Sequence, residues 1–440
     1  MSEGICDIEL APLAPLTLRR LLPPAQRAAT TPTKLQEASL EMDIKNAVIV
    51  DAVRSALGRG KAGGALSTVH PVELLAGTIT TLLERVDLDP ALVDDVITGC
   101  VVRVGEQAST IGRSAWLTAG LPEHVPATTI DRACGSSQQA IHFAAQGVMA
   151  GAYDIVIASG VESMSRVPMF SSGLGKDVWG PGLTRRYAPG LVSQGISAEL
   201  VAAKWGIDRD EMDEYSARSH ARAAECAAAG EFDREIAPVV VIDDTGVERI
   251  VRADETIRPG TTSERLSLLS SSFRDEAYAA RFPEISWDVT AGNSSQLADG
   301  AGAMLIMSEQ RANELNIRPR ARFRAFSVIA DDPLLMLTGP IPATELVLKR
   351  AGLTVTDCDH IEVNEAFASV PLAWQKRMHA NPDVLNPRGG AIALGHPLGA
   401  SGVRLMTTML TALEDTGGRI GLQTMCEAGG MANATMIEKI

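Results

Sequence analysis

The chain contains no apolar run of the roughly 18 residues that a membrane-spanning helix needs, so no membrane span is expected. Basic residues are in the minority, 40 Lys and Arg against 54 Asp and Glu, with a net charge of −14, and aromatics make up only 4%. Nucleic-acid binders carry a basic stripe with aromatics interleaved. No such stripe occurs, so no nucleic-acid partner is expected. Cysteine is scarce as well. Cys6, Cys100, Cys134, Cys226, Cys358 and Cys426 form neither a CxxC pair nor a zinc-binding spacing, which points to a reduced, cytoplasmic protein without a structural metal.

What is present is apolar material for several cores. The chain has 440 residues, 45% of them hydrophobic, and a domain takes about 150 residues. The first 42 residues differ from the rest, with prolines at Pro12, Pro15, Pro23, Pro24 and Pro32 and only basic charges between Glu9 and Glu37. Residues 1–42 read as a disordered extension, as an upstream start with Met42 the working initiator, or as a transit peptide addressing an organelle matrix.

From Asn46 onward, short apolar runs (AVIVDAV, DDVITGCVV, YDIVIASGV) alternate with helical stretches such as PVELLAGTITTLLERV. This predicts a layered α/β fold with a parallel or mixed sheet. Between Arg166 and Ile285, a Gly- and Ser-rich loop leads into an Ala- and charge-rich helical segment, read as an insertion lying over a site. After WDVTAGNSSQLADGAGAMLIMSE the alternation resumes in RARFRAFSVIA, ATELVLKRAG and HIEV, ending in the pair RIGLQTMCEAGG and NATMIEKI. Two similar α/β halves with one insertion are expected.

Three segments carry reactive side chains. Cys134, in DRACGSSQQA, precedes an Ala-rich amphipathic run and belongs near a helix N-terminus, where unsatisfied N–H groups and the dipole favour a thiolate. Such a cysteine is expected to titrate at about 3.5 to 7.5; taken alone, it reads equally as a small buried core thiol. His396, in GGAIALGHPLGASG, is held by a glycine-rich loop that Pro397 keeps from continuing as helix. It reads as base to a thiol or, alone, as a surface histidine. Cys426 ends the apolar run IGLQTMC before EAGGMANA, where the turn either offers N–H groups to an oxyanion or closes an ordinary hairpin.

Asn364, in HIEVNEAFASV, falls where a short strand meets a helix, as an N-cap or as the holder of a catalytic water. GRGKAG, with Gly58, Gly60 and Gly63, matches the dinucleotide fingerprint of a nicotinamide-dependent dehydrogenase. RSAL after the strand and the delay from Ser67 to Pro71 before the next helix argue against it.

Taken together, DRACGSSQQA, VESMSRVPM, DETIRPGTT, TAGNSSQLADGAGAML, GPIPA, NEAFA, GGAIALGHPLGASG and MCEAGGMANA, in this order, resemble the thiolase family, enzymes that cleave or form 3-ketoacyl-CoA. The resemblance implies the thiolase fold: two similar βαβαβαββ halves in a layered α/β arrangement with an inserted loop domain. On this chain it implies a first half of 43–166 plus 287–316, a loop domain of 167–286 and a second half of 317–440. It implies Cys134 as nucleophile, His396 as its activator and Cys426 as the acid/base near the substrate's Cα. Asn364 would hold a water forming one oxyanion hole with His396, and the backbone N–H groups of Cys134 and Ala428 would form the other. Arg258 and Ser295 are implied as CoA contacts, with Met336 and Phe367 lining the pantetheine and acyl region. CoA is then a substrate, no cofactor is bound, and a homodimer or homotetramer is expected.

Some positions depart from the family pattern. Ser137 stands where a glycine is usual after the nucleophile, Ala428 and Ala432 replace glycines, Met169 takes a place where some short-chain members carry histidine, and RDEAYAARFPEISWD is longer than usual. The function expected is a degradative 3-ketoacyl-CoA thiolase of β-oxidation. Its rivals are a biosynthetic acetoacetyl-CoA thiolase, a decarboxylating ketoacyl synthase, against which Cys426 argues, and a non-catalytic thiolase-like acyl-CoA binding protein. The last applies if Ala428 cannot take the backbone angles of a glycine.

Overall fold

The computed structural model describes residues 45–242 and 245–440; the extension expected at 1–42 lies outside them. The short apolar runs become strands of one mixed sheet: β1 Ala47–Ser55, β2 Asp95–Gly99, β3 Ala127–Ile130, β4 Ile155–Ser163, β5 Ala298–Ser308, β6 Ala321–Ala330, β7 His360–Val363, β8 Ile420–Glu427 and β9 Met431–Lys439. They lie in the order β7-β8-β9-β6-β1-β5-β4-β2-β3, and two short strands, Gly58–Arg59 and Ile236–Ala237, pair off this path. β1, β4 and β5 are buried at every residue. Helices cover both of their faces, so these strands read as unbroken apolar runs rather than as alternating ones.

The alternation shows in which partners each face meets. In β1, Val48, Val50 and Val53 pack with Leu74, Leu75 and Ile79 of the helix Pro71–Val86. Ala47, Ile49 and Ala52 face the opposite way, toward two helices, Ser136–Met149 and Ser401–Thr416. Those two helices also meet Ala321, Phe323 and Ile437 from β6 and β9, so they form a layer shared by both halves. The halves join edge to edge where β1 and β6 pair antiparallel, Val48 with Arg322 and Ile49 with Ala321.

The first half runs β1, helix, β2, helix, β3, helix, β4, β5, the order implied by the resemblance. The second half departs at one element. Where β3 has its counterpart, the chain NPDVLNP forms only an isolated bridge, Leu385 with Ile361, because Pro382 and Pro387 interrupt a ladder. The Asn386 side chain takes over the missing pairing, accepting from the Val363 amide at 2.9 Å and donating to the Val363 carbonyl at 2.8 Å.

Between β4 and β5 runs the inserted segment, which contains helices and few strands, as expected. Its longest helix, Arg209–Ala228, opens on a capping box between Asp208 and Glu211. It also holds a two-stranded ribbon, Val239–Ile242 with Glu248–Val251. Among the described residues no helix is long and apolar enough to cross a membrane.

Candidate active site

After β3 the chain turns sharply into the helix Ser136–Met149. Asp131 accepts from the Ala133 amide at 2.7 Å, and Ala133 is held at φ 46, a conformation that non-glycine residues seldom take. Cys134 follows at the helix N-terminus, where its sequence context places it. The expected acidification is not found. Burial pushes the thiol up to about 12, the Glu427 carboxylate adding to the effect. Desolvation outweighs the helix terminus, and the resting group is a thiol.

His396 is positioned by its loop. Its amide donates to the Gln296 carbonyl at 2.9 Å, and Gly395, at φ 94, makes the turn before it. Ser401 Oγ gives its one proton to the Pro397 carbonyl at 2.8 Å. The 2.6 Å contact between Ser401 Oγ and the imidazole therefore runs from Nδ1–H to the hydroxyl oxygen. That leaves the Nε2 lone pair available as a base, with Asn364 Nδ2 approaching it at 3.5 Å. Burial, with the Arg404 charge adding, lowers the imidazole to about 3, so it is neutral at working pH. The surface-histidine reading is excluded.

Cys426 is the penultimate residue of β8 and pairs with Ala432 of β9. The positive φ angles of the connecting turn fall at Gly429 and Gly430, not at Ala428. Alanine at 428 therefore carries no left-handed strain, and Ala432 packs into the core of the second half. The turn closes the hairpin between β8 and β9. Burial, then Cys134 and Glu427, hold the Cys426 thiol well above its ordinary value.

Cys134, His396 and Cys426 line a single cavity of about 180 Å³, together with Met164, Met169, Ser295 and Phe367. Met336 and Ala428 line the adjoining cavity instead. Arg258 lines a third, donating through Nη2 to Gln296 Oε1 at 2.8 Å, and Gln296 also borders the first. Asn364 lies behind His396, buried, and its Oδ1 has no protein partner. The N-cap reading fails, since the following helix begins at Ser369 with Ala368 at its cap.

Ser137 also has a physical account. Its Oγ accepts at 3.1 Å from the Val403 amide, one of the first-turn donors of the helix Ser401–Thr416 that no carbonyl of that helix can reach. The dinucleotide reading of GRGKAG fails on the same grounds of occupancy. The Glu255 carboxylate already accepts from the Arg59 and Ala65 amides, at 2.9 and 2.7 Å.

Three buried acids shape the site; the sequence marks Glu365 only as the neighbour of Asn364 where a short strand meets a helix, and does not mark Glu162 or Glu427. Glu162 accepts from the Val101, Val102 and Gly399 amides, tying β4 to the His396 loop. Glu365 accepts from Tyr215, Ser219 and the Ile392 amide, anchoring the turn before His396. Glu427, between Cys426 and Ala428, has no partner on either buried oxygen. It presses so closely on Gly135 that a methyl group there would lie 1.9 Å from Oε1. Burial raises its carboxyl to about 8, Arg132 opposing and Asp131 adding. An acid beside Cys426 in an otherwise apolar run was the one available signal.

Comparison with known proteins meets this geometry. Residues 47–310 match the thiolase N-terminal domain and residues 317–439 the thiolase C-terminal domain. The chain is 46% identical over 402 residues to a steroid 3-ketoacyl-CoA thiolase of Mycobacterium tuberculosis, covering 90% of this chain and 94% of that protein. It is 44% identical over 401 residues to a 3-ketoacyl-CoA thiolase of Salmonella typhimurium, covering 90% of this chain and all (100%) of the relative. The acetyl-CoA acetyltransferase of Bacillus anthracis superposes with a TM-score of 0.81 at 33% identity, over 90% of this chain and 100% of that one. With both family domains matched in order and a cavity lined by two thiols and an imidazole, the chain belongs to the thiolase family.

Proposed function

We propose that this acyltransferase is a degradative 3-ketoacyl-CoA thiolase in which Cys134 carries the acyl group. The observation that supports it most is the meeting in one cavity of two thiols and an imidazole with its Nε2 lone pair available. Separate ions are disfavoured there, since burial raises the thiols and lowers the imidazole. Thiolate and imidazolium therefore form together, as the nucleophile attacks.

Cys134 passes its proton to His396 Nε2 and its sulfur attacks the 3-keto carbon. The alkoxide faces the Cys134 and Ala428 amides; as it collapses, the Cα–Cβ bond breaks and the acyl group stays on Cys134. The departing acetyl-CoA enolate, its oxygen held by His396 and a water on Asn364, takes a proton from Cys426 Sγ. CoA then enters, returns a thiol proton to the Cys426 thiolate and attacks the Cys134 thioester. The shortened acyl-CoA leaves, and Cys134 recovers its proton from His396. The proton ledger closes with CoA as the only co-substrate, so this chemistry calls for no bound cofactor.

Arg258 and Ser295 suit CoA contacts on the Gln296 side of the cavity, and Phe367 with Met336 the pantetheine and acyl region. In this reading the chain divides into halves of 43–166 plus 287–316 and 317–440, with a loop domain of 167–286, acting as a cytoplasmic homo-oligomer. The degradative direction is supported by relatives named 3-ketoacyl-CoA thiolase, whereas the superposed structure is an acetyl-CoA acetyltransferase. Thiolysis should vanish in Cys134→Ala, and mass spectrometry should find an acyl adduct on Cys134 when wild-type protein meets a 3-ketoacyl-CoA without CoA. Confinement of activity to acetoacetyl-CoA would transfer the assignment to the biosynthetic rival.

A further inference from the structure

We infer that the acyl group taken by this site is a bulky, uncharged hydrocarbon, ring-bearing or branched, seated in the cavity next to the catalytic one. The inference rests on the thiolase reading and adds its substrate class. The catalytic cavity, at about 180 Å³, has little room beyond the reacting atoms. Its neighbour, at about 590 Å³, falls in the range that accommodates drug-sized ligands, about 300–1,000 Å³.

The two cavities adjoin. Gln194 borders both, Met336 of the large cavity is followed by Leu337 of the small one, and Ala428 lies two residues after Cys426. A group bonded to Cys134 therefore has the large cavity beside it. The lining is apolar and partly aromatic, with Phe170, Trp179, Leu183, Val192, Tyr278 and Met336, and it includes no charged side chain. That excludes the phosphates of CoA, whose desolvation would go uncompensated. The cavity bordered by Arg258 and His220, beyond Gln296, suits them better.

Exposure supports the same occupant. Phe170 is 78% exposed and Trp179 54%, large apolar surfaces that a four-carbon substrate would leave in water and a wide hydrocarbon would cover. The aromatic faces come from separate stretches of the insertion, around 170–183 and at Tyr278 within the long segment RDEAYAARFPEISWD.

The test is steady-state thiolysis by the full chain of acetoacetyl-CoA, linear 3-ketooctanoyl-CoA and a 3-ketoacyl-CoA bearing a decalin ring. The decalin substrate should exceed acetoacetyl-CoA in kcat/KM by at least tenfold. Thr184→Trp, at an exposed cavity-lining position of the helix Gly180–Arg186, should cut that ratio at least tenfold, and Leu183→Asp should do the same by placing a charge in the lining. The inference is overturned if linear 3-ketooctanoyl-CoA outruns the decalin substrate, or if neither variant moves the ratio. Absence of both turnover and a Cys134 adduct with every substrate would instead overturn the thiolase reading itself.

Discussion

Glu427 couples the site's electrostatics to the stability of the fold. Its carboxyl, raised by burial to about 8, stays protonated in the folded protein while the unfolded chain ionises it near the ordinary value of about 4.3. The folded state thus holds the extra proton, so stability falls as pH rises from about 4.3 to about 8 and levels off above that. Glu427→Gln keeps the shape and removes the titration. Thermal unfolding at pH 5, 7 and 9 should show the variant gaining on wild type as pH rises; a constant offset would contradict this assignment. The same residue marks a limit of sequence reading. Cys134, His396 and Cys426 stand out because their neighbours are small and their chemistry is rare. A glutamate looks like surface until tertiary burial is known, so the sequence gives no role to Glu162, Glu365 or Glu427.

The two shared helices, Ser136–Met149 and Ser401–Thr416, bear on the spacing between nucleophile and base, since one begins just after Cys134 and the other after the short turn that follows His396. They approach so closely that a methyl group on Gly402 would lie 2.1 Å from the Gln138 amide nitrogen. Gly402→Ala must push the helices apart or unwind a turn. A loss of about 1–3 kcal/mol or more is expected for such overpacking, read from urea unfolding, together with reduced kcat as Cys134 and His396 separate. Helix and strand order was legible from periodicity and turn residues at most elements. β5 was not, because ADGAGAM carries small residues where a β-branched run would announce a strand. The missing partner of β7 was equally hidden, since an asparagine side chain standing in for backbone leaves no pattern of period two.

Across the whole molecule, buried neutral histidines govern acid stability. His142 and His396 are held down to about 3 and His220 to about 4, in each case by burial first and a nearby arginine second. The unfolded chain protonates them near 6.5, so their contribution is intact above that pH and is lost as pH falls toward 3. Urea midpoints should drop between pH 7 and pH 4.5, and His142→Gln, away from the reacting groups, should shallow that slope. The division into two halves was readable from the repeated grammar of strands and helices. How they join was not, because the β1–β6 pairing rests on register, and register is a property of both strands at once.

That seam has a consequence for how such a molecule can arise. Cys134 belongs to one side of it and His396, Asn364 and Cys426 to the other, while the pairing itself involves Val48 with Arg322 and Ile49 with Ala321. A single half, however well folded, would own a nucleophile without a base or a base without a nucleophile. If the halves descend from one duplicated gene, the duplication supplied a scaffold with two equivalent helix ends, and the reaction had to wait until those ends diverged.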